Sequence, residues 1–303
     1  GKVRNDGLEL SLSTVNVQTK DFTWTSDFNI AFNKNEVLEL AENQLSLTTA
    51  ARFDQNYNSQ PSYIAKVCLP MGMMYGYIYE GTYKYDDFVK SGNSYTLKDN
   101  VPYFSSEANT QPGMPKYKDV NGDGIIDTND RTIIGRGLPI HTGGFTNSFT
   151  YKGFDLSVFF QWSYGNDIMN ANRLFFENAG GKKDLNQFAS YANRWTPENP
   201  ESDIPAATKS ASNNVISSRI IEDGSYLRLK TVTLGYTFPK ALIAKAKLSN
   251  ARVYVAAQNL WTWTSYSGYD PEVSVRNSAL TPGLDFSSYP RAFTLSFGVN
   301  LGF

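Results

Sequence analysis

The last stretch of the chain constrains its fold more than any other. From Phe293, alternate positions read Phe293, Leu295, Phe297, Val299, Leu301 and Phe303. Between them lie Thr294, Ser296, Gly298, Asn300 and Gly302. Side chains of an extended strand point to alternate faces. One face of this strand is therefore wholly apolar, and the other is small and polar. A soluble β-sandwich meets the pattern by laying the apolar face on a core. A membrane β-barrel meets it by turning that face to lipid.

The same alternation recurs upstream. Phe22, Trp24, Phe28, Ile30 and Phe32 alternate with polar or small residues, as do Phe154, Leu156, Val158, Phe160, Trp162 and Tyr164. Val232, Leu234, Tyr236 and Phe238 repeat the pattern, and Leu8, Leu10 and Leu12 face away from Glu9, Ser11 and Ser13. Each run has about the ten residues that a tilted strand needs to cross a bilayer. The pattern predicts an all-β chain of nine antiparallel strands near 5–17, 21–34, 61–70, 73–85, 142–152, 153–165, 224–238, 250–264 and 290–303. Short connections then fall near 18–20, 71–72, 152–153 and 239–249. Long ones fall at 35–60, 86–141, 166–223 and 265–289. Membrane barrels pair short periplasmic turns with long extracellular loops, and a sandwich has no reason to sort its connections this way. A strand that runs to the last residue and ends in Phe is also how outer-membrane barrels end. With Phe303 at the periplasmic side, every short turn is expected in the periplasm and every long loop outside.

Composition agrees with this reading. Hydrophobic residues make up 41% and charged residues 19% of the 303, and no apolar run reaches the roughly 18 residues of a membrane helix. Alternation dilutes a barrel strand to about half apolar, so a barrel stays open. Aromatics reach 14%, which suits girdles at a membrane boundary. The net charge of −1, without a basic block, shows no nucleic-acid footprint. One cysteine, Cys68, and one histidine, His141, leave no intrachain disulfide, cysteine metal site or catalytic triad. The opening GKVRNDGLEL has no signal-peptide core and reads as beginning inside a strand pair.

The sharpest local motif is DVNGDGIIDTND, residues 119–130. Read as a twelve-residue calcium loop, it offers Asp119, Asn121, Asp123, the Ile125 carbonyl, Asp127 and Asp130 as ligands, with Gly124 at the turn position. The final position is usually Glu; Asp130 is shorter, so bidentate coordination is less assured. Dockerin loops resemble it in this respect. Hard oxygen donors favour Ca2+ over softer metals, and the expected role is structural. Asn, Asp and Gly also favour turns without any ion. Arg131 either pairs with a loop carboxylate or stays solvated. Tyr75, Tyr77, Tyr79, Tyr83, Tyr85, Tyr103, Phe104, Trp261, Trp263, Tyr266 and Tyr269 crowd the loop regions. They serve as stacking platforms for ligand or as girdle and packing. Asp27, Asn29, Gln161 and Asn300 are expected to line a wet lumen. Arg228 and Lys230 face either substrate or lipid headgroups.

The stretch KDVNGDGIIDTNDRTIIGRGLPIHTGGFTNSFTYKGFDLSVFFQWSYGNDIMN resembles the C-terminal region of SusC/RagA-type TonB-dependent outer-membrane transporters. So do EDGSYLRLKTVTLGYTFP, ARVYVAAQNLWTWT followed by GYDPEV, the terminal strand and, upstream, NDGLELSLSTVNVQTKDFTWTSDFNIAFNKNEV. The resemblance covers nearly the whole chain. It implies residues 1–303 as the C-terminal portion of a barrel of about 22 strands, a size class with a plugged lumen. It places the plug domain and TonB box before residue 1. It implies a SusD-like surface lipoprotein as a lid, TonB as the energy source, and a glycan or peptide as the imported substrate. One histidine and no convincing paired-carboxylate site make an enzyme the least expected reading. The alternatives are a passive porin or adhesin barrel and a soluble calcium-dependent carbohydrate-binding β protein.

Overall fold

A computed structural model describes every residue except 179–183, 208–214 and 276–277. Seven long strands build one antiparallel sheet: β1 (Lys2–Gln18), β2 (Phe22–Glu39), β3 (His141–Tyr151), β4 (Phe154–Tyr164), β5 (Tyr226–Thr237), β6 (Asn250–Thr264) and β7 (Thr294–Gly302). They pair strictly in chain order, and the edges β1 and β7 do not meet. The three connections β1–β2, β3–β4 and β5–β6 are short and lie at one end, the turn end. Those spanning 40–140, 165–225 and 265–293 are long and lie at the other, the loop end. The β3–β4 turn is the tightest: Lys152 and Gly153 both have positive φ, +45° and +90°, the backbone of a two-residue type I′ hairpin.

Register gives the sheet two distinct faces, because directly paired residues share a face. Leu10 opposes Ile30, Phe28 opposes Phe145, and Phe145 opposes Phe160. Leu156 opposes Leu234, Leu234 opposes Val255, and Val255 opposes Phe297. This apolar face is open to its surroundings: Leu10 is 52% exposed and Phe297 78%. Aromatic rows bound it at both ends. Phe22 and Tyr151, Trp24 and Phe149, and Phe154 and Tyr236 pack together at the turn end. His141 lies between Phe32 and Tyr164 at the loop end, with centroids 5.3 and 5.0 Å away, and Trp162, Trp261 and Trp263 extend the row. The ten steps from Tyr151 to His141 rise roughly 33 Å along the strand. At the tilt of about 40° usual for membrane barrels, this is a band about 25 Å tall, the height of their apolar belt.

Polar groups on the apolar face satisfy one another. The Asn147 amide oxygen accepts from Trp24 Nε1 at 2.9 Å and from Ser26 Oγ at 2.8 Å. Asn16 Nδ2 donates to Ser26 Oγ at 2.6 Å, and Thr14 donates to Asn16 Oδ1 at 2.9 Å. Closed bonding of this kind is what hydrocarbon demands of polar atoms. The opposite face carries Ser13, Asp27, Asn29, Gln161, Thr231 and Asn300, as the alternation predicts. There Arg252 of β6 reaches across β5 to Asp155 of β4, at 2.6 and 3.1 Å. Gly235 lies beneath this pair, and a Cβ there would stand 2.3 Å from the guanidinium.

Two of the nine expected barrel strands are elsewhere. Segments 61–70 and 73–85 yield the short strands Pro61–Lys66 and Met73–Gly76. These belong to a separate four-stranded sheet with Ser46–Ala50 and Thr132–Arg136. The physical reason is burial on both sides: Ser62, Tyr63, Ile64 and Ala65 are all buried in succession, so neither face is free for lipid. The expected loops 35–60 and 86–141 thus merge into one long connection. Because the two displaced strands are consecutive, the assignment of the other connections to one end or the other is unchanged.

Val158 and Val232 oppose each other midway along the apolar band. Val158→Arg is expected to cost about 2–4 kcal/mol, read from urea unfolding of the protein in lipid vesicles. Ser157→Arg, on the opposite face, is expected to unfold near wild-type urea. Equal losses at both positions would contradict a lipid-facing assignment.

Candidate functional site: the loop assembly and its anchor on the polar face

The three long connections fold together above the sheet. One apolar cluster joins Tyr57, Tyr63 and Met74 of the first, Met169, Leu174, Phe175 and Ile220 of the second, and Leu284 of the third. Strand Asp167–Asn170 pairs with Ile221–Asp223 on one side and with Leu284–Asp285 on the other. Glu222 ties the same parts electrostatically. It accepts from Asn170 Nδ2 at 3.0 Å and from Ser267 N at 2.8 Å, and Arg173 lies 3.5 Å away. Buried Glu177 holds Arg173 and Arg219 and accepts from Ser190 Oγ.

One ion cluster anchors this assembly to the sheet. Arg228 of β5 is 2% exposed. Its guanidinium contacts Asp270 at 2.5 Å and Glu272 at 2.9 Å. Lys230 and Arg291 also meet Glu272, at 3.2 and 3.0 Å. The Asp270 carboxylate accepts from the backbone N–H of Arg291 and Glu272 as well. Burial alone would raise the Asp270 pKa; these donors outweigh it and hold the carboxyl below its ordinary value. The sequence left Arg228 between substrate and lipid. The structure places it on the polar face, bound to protein carboxylates. A register shift between Leu229 and Thr231 makes Lys230 a bulge, and the bulge turns Arg228 away from the face that carries Val232.

The expected calcium ligands lie together in one loop, bonded chiefly to that loop's backbone. Asp119 accepts from Gly122 N at 2.6 Å and Gly124 N at 2.8 Å. The Gly124 bond comes first among the causes that lower its pKa. Asn121 Oδ1 accepts from Asp123 N, and Asp123 accepts from Ile125 N and from the Asn121 amide. Ile125 opens a short strand parallel to Tyr103–Phe104. Asp127 caps the following turn through Asn129 N. Asp130 is fully buried and accepts from Val120 N and Asp127 N, which fastens the two ends of the loop. Among the described residues no three His, Cys, Asp or Glu side chains are gathered as a metal-holding group. Arg131 takes neither expected role: it lies 5.2 Å over the Tyr77 ring and donates to its hydroxyl.

The aromatic residues divide between packing, girdle and solvent. Tyr77, with Tyr79 and Phe104, builds one small core, and Tyr83 builds another that Tyr103 packs against. Tyr266 is buried and donates to Asp285. Trp261 and Trp263 belong to the apolar face. Tyr269 is 82% exposed.

Comparison with known proteins supplies the wider frame. No family model matches the chain. The TonB-dependent receptor P3 of Formosa agariphila is 35% identical over 308 residues, which covers 100% of this chain and 29% of that receptor. The TonB-dependent receptor SusC of Bacteroides thetaiotaomicron is 26% identical over 304 residues, covering 100% and 27%. The RagAB peptide transporter structure matches with a TM-score of 0.75 at 24% identity, over 99% of this chain and 29% of that one. The RagAB peptide importer in its open-open state matches with 0.72 at 26% identity. This chain thus spans under a third of the length of these relatives.

Arg228→Met leaves Asp270 buried without its main partner. The expected local loss is about 3 kcal/mol, seen as faster hydrogen exchange across 265–293 with β5 and β6 unchanged. Because the Asp270 pKa is depressed in the fold, its contribution is complete above the unfolded value of about 3.9. It is lost as pH falls through the folded value below that. Exchange in 265–293 should therefore accelerate on acidification below about pH 4 in wild type, and not in Asp270→Asn.

Proposed function

This chain is a stretch of β-barrel wall from a TonB-dependent receptor of the SusC/RagA type, and we propose that it serves active import of an oligomeric nutrient, glycan or peptide, across a bacterial outer membrane. The observation that carries the reading is the pairing of a two-faced sheet with a loop assembly fastened to its polar face. The apolar face contacts outer-membrane lipid, and the polar face lines the passage. Open edges at β1 and β7 cannot stand in hydrocarbon with unpaired backbone, so they pair with further strands of the receptor. The loop end faces outward, and the turn end with Phe303 faces the periplasm, in keeping with short periplasmic turns. A SusD-like lipoprotein sits over the loop end as a lid. TonB works through a part of the receptor outside this chain. The role is transport, not catalysis, in line with relatives named as receptors and transporters.

The test is accumulation of labelled substrate in cells that express the full-length receptor. Loss of TonB should abolish uptake while leaving the receptor in the outer membrane. Unchanged uptake without TonB would favour a passive pore and overturn the import reading.

We also propose that residues 119–130 hold a structural Ca2+. The donor set is all hard oxygen, and Gly124 has the positive φ, +84°, that its turn position needs. Carboxylate oxygens that accept one N–H keep a second lone pair. Asp119, Asn121, Asp123 and Asp127, with the Ile125 carbonyl, fit the ion best; buried Asp130 gives both of its oxygens to backbone donors. Excess Ca2+ should raise the melting temperature of the receptor above its value in EGTA, and Asp119→Asn with Asp123→Asn should erase the difference. A wild-type melting temperature indifferent to Ca2+ would mean that the backbone bonds alone hold the loop.

A further inference from the structure

The three short connections at the turn end form one continuous rim. Lys152 N donates to the Asp21 carbonyl at 3.3 Å, which joins the β3–β4 turn to the β1–β2 turn. Thr237 N donates to the Gly153 carbonyl at 2.8 Å, which joins it to the β5–β6 connection. Measured across the strands, the rim is roughly 20 Å long. Its charge is almost all of one sign. Lys20, Lys152, Lys240, Lys245 and Lys247 stand on these connections against the single acid Asp21, in a chain whose net charge is −1. All five lysines are exposed. Among the described residues, none of them forms an ion pair.

Two of these lysines occupy backbone positions that suit other residues better. Lys152 has φ +45° in the type I′ turn. Lys247 has φ +57° where the helical turns Lys240–Ile243 and Ala244–Ala246 end. Glycine or asparagine enters either position with less strain, so the local backbone gives no reason for a lysine there. The surroundings are those of a membrane boundary. The Lys152 ammonium lies 5.3 Å over the Tyr151 ring, and Tyr151 belongs to the aromatic row that closes the apolar face at this end. The β5–β6 connection leaves that row at Phe238, whose ring packs edge-on against Tyr236. Within it Ile243 is buried, while Leu242 is 66% exposed and flanked in sequence by Lys240 and Lys245. Lysines beside an exposed apolar side chain, one step beyond an aromatic row, match a boundary of acyl chains and headgroups. Solubility alone is met by charges of mixed sign; a rim of one sign selects what lies against it.

We propose that this rim binds the phosphate headgroups of anionic phospholipid and gathers that lipid around the turn end. The inference rests on the reading that the turn end faces the periplasm, on the phospholipid side of the outer membrane. Each lysine held within a Debye length of an anionic lipid surface strengthens the attraction about fivefold. Charges exposed in this way are screened by salt, which gives the contact a signature that apolar packing lacks.

The test reads the lipid beside the rim. The receptor carries a bimane fluorophore at Leu242→Cys after its other cysteines, Cys68 among them, are replaced by serine. It is reconstituted in phosphatidylcholine vesicles that hold equal small fractions of 5-doxyl phosphatidylglycerol or 5-doxyl phosphatidylcholine as quencher. Quenching should show phosphatidylglycerol enriched about fivefold or more beside the fluorophore. At about 1 M NaCl, where the Debye length is about 3 Å, the two lipids should quench alike. Lys152→Gln, Lys240→Gln, Lys245→Gln and Lys247→Gln together should also bring them to parity, and arginine at the same four positions should keep the preference. Parity at low salt, or a preference that survives high salt, overturns the proposal, and the salt comparison needs no charge variant to fold. Retention on peptidoglycan sacculi without any lipid preference assigns the rim to cell-wall carboxylates and overturns it as well. Orientation is checked apart, by labelling intact cells with a bulky maleimide. Cys68, exposed in the first long connection, should react, and Leu242→Cys should not. Lipid parity with this labelling pattern intact refutes only the headgroup inference. Reaction at Leu242→Cys and not at Cys68, with the lipid preference intact, refutes only the orientation.

Discussion

The structure depends on one demand: a backbone in hydrocarbon must hydrogen-bond entirely within the protein. Seven strands in one antiparallel ladder, interrupted only at bulges, meet that demand except along the outer edges of β1 and β7. Once the ladder exists, the side-chain period of two sorts residues onto lipid or lumen, except where a bulge resets it. The apolar face needs no core behind it, which is why Phe297, Val299 and Leu301 remain exposed here. The few polar groups on that face, Asn16, Ser26 and Asn147, are acceptable because they bond to one another.

The wall was legible because period-two alternation is a strong signal over ten residues. The spans expected for β3 to β6 agree with the structure to within two residues at each end, and that for β6 agrees fully. Alternation failed where a segment is buried on both faces. Pro61–Lys66 has strand character, but its contiguous Ser62-Tyr63-Ile64-Ala65 packs inside the loop assembly. The three contiguous residues Tyr63, Ile64 and Ala65, in place of alternation, are the one signal that separates this strand from a barrel strand.

Arg228 was illegible for a different reason. Strict alternation from Val232 carries it onto the apolar face, where an arginine has only snorkelling to offer. The bulge at Lys230 reverses that assignment. A bulge leaves little trace in sequence, and the partners Asp270 and Glu272 lie 42 and 44 residues onward. The pair could be found only once the third connection was seen folded back on the polar face. The 119–130 loop was legible as a closed turn, since its spacing of acidic and glycine residues also serves backbone bonding.

The anchor explains how a long connection can have a fixed geometry. Cohesion comes from the shared cluster around Met74, Met169 and Leu284, to which all three connections contribute. That cluster holds the three connections to one another, and does not by itself fix them on the wall. A buried ion pair adds little net stability over an apolar substitute, since desolvation cancels most of its attraction. It does penalise every arrangement that leaves Arg228 or Asp270 buried alone. The Arg228 cluster therefore favours one placement of Asp270, Glu272 and Arg291 on β5.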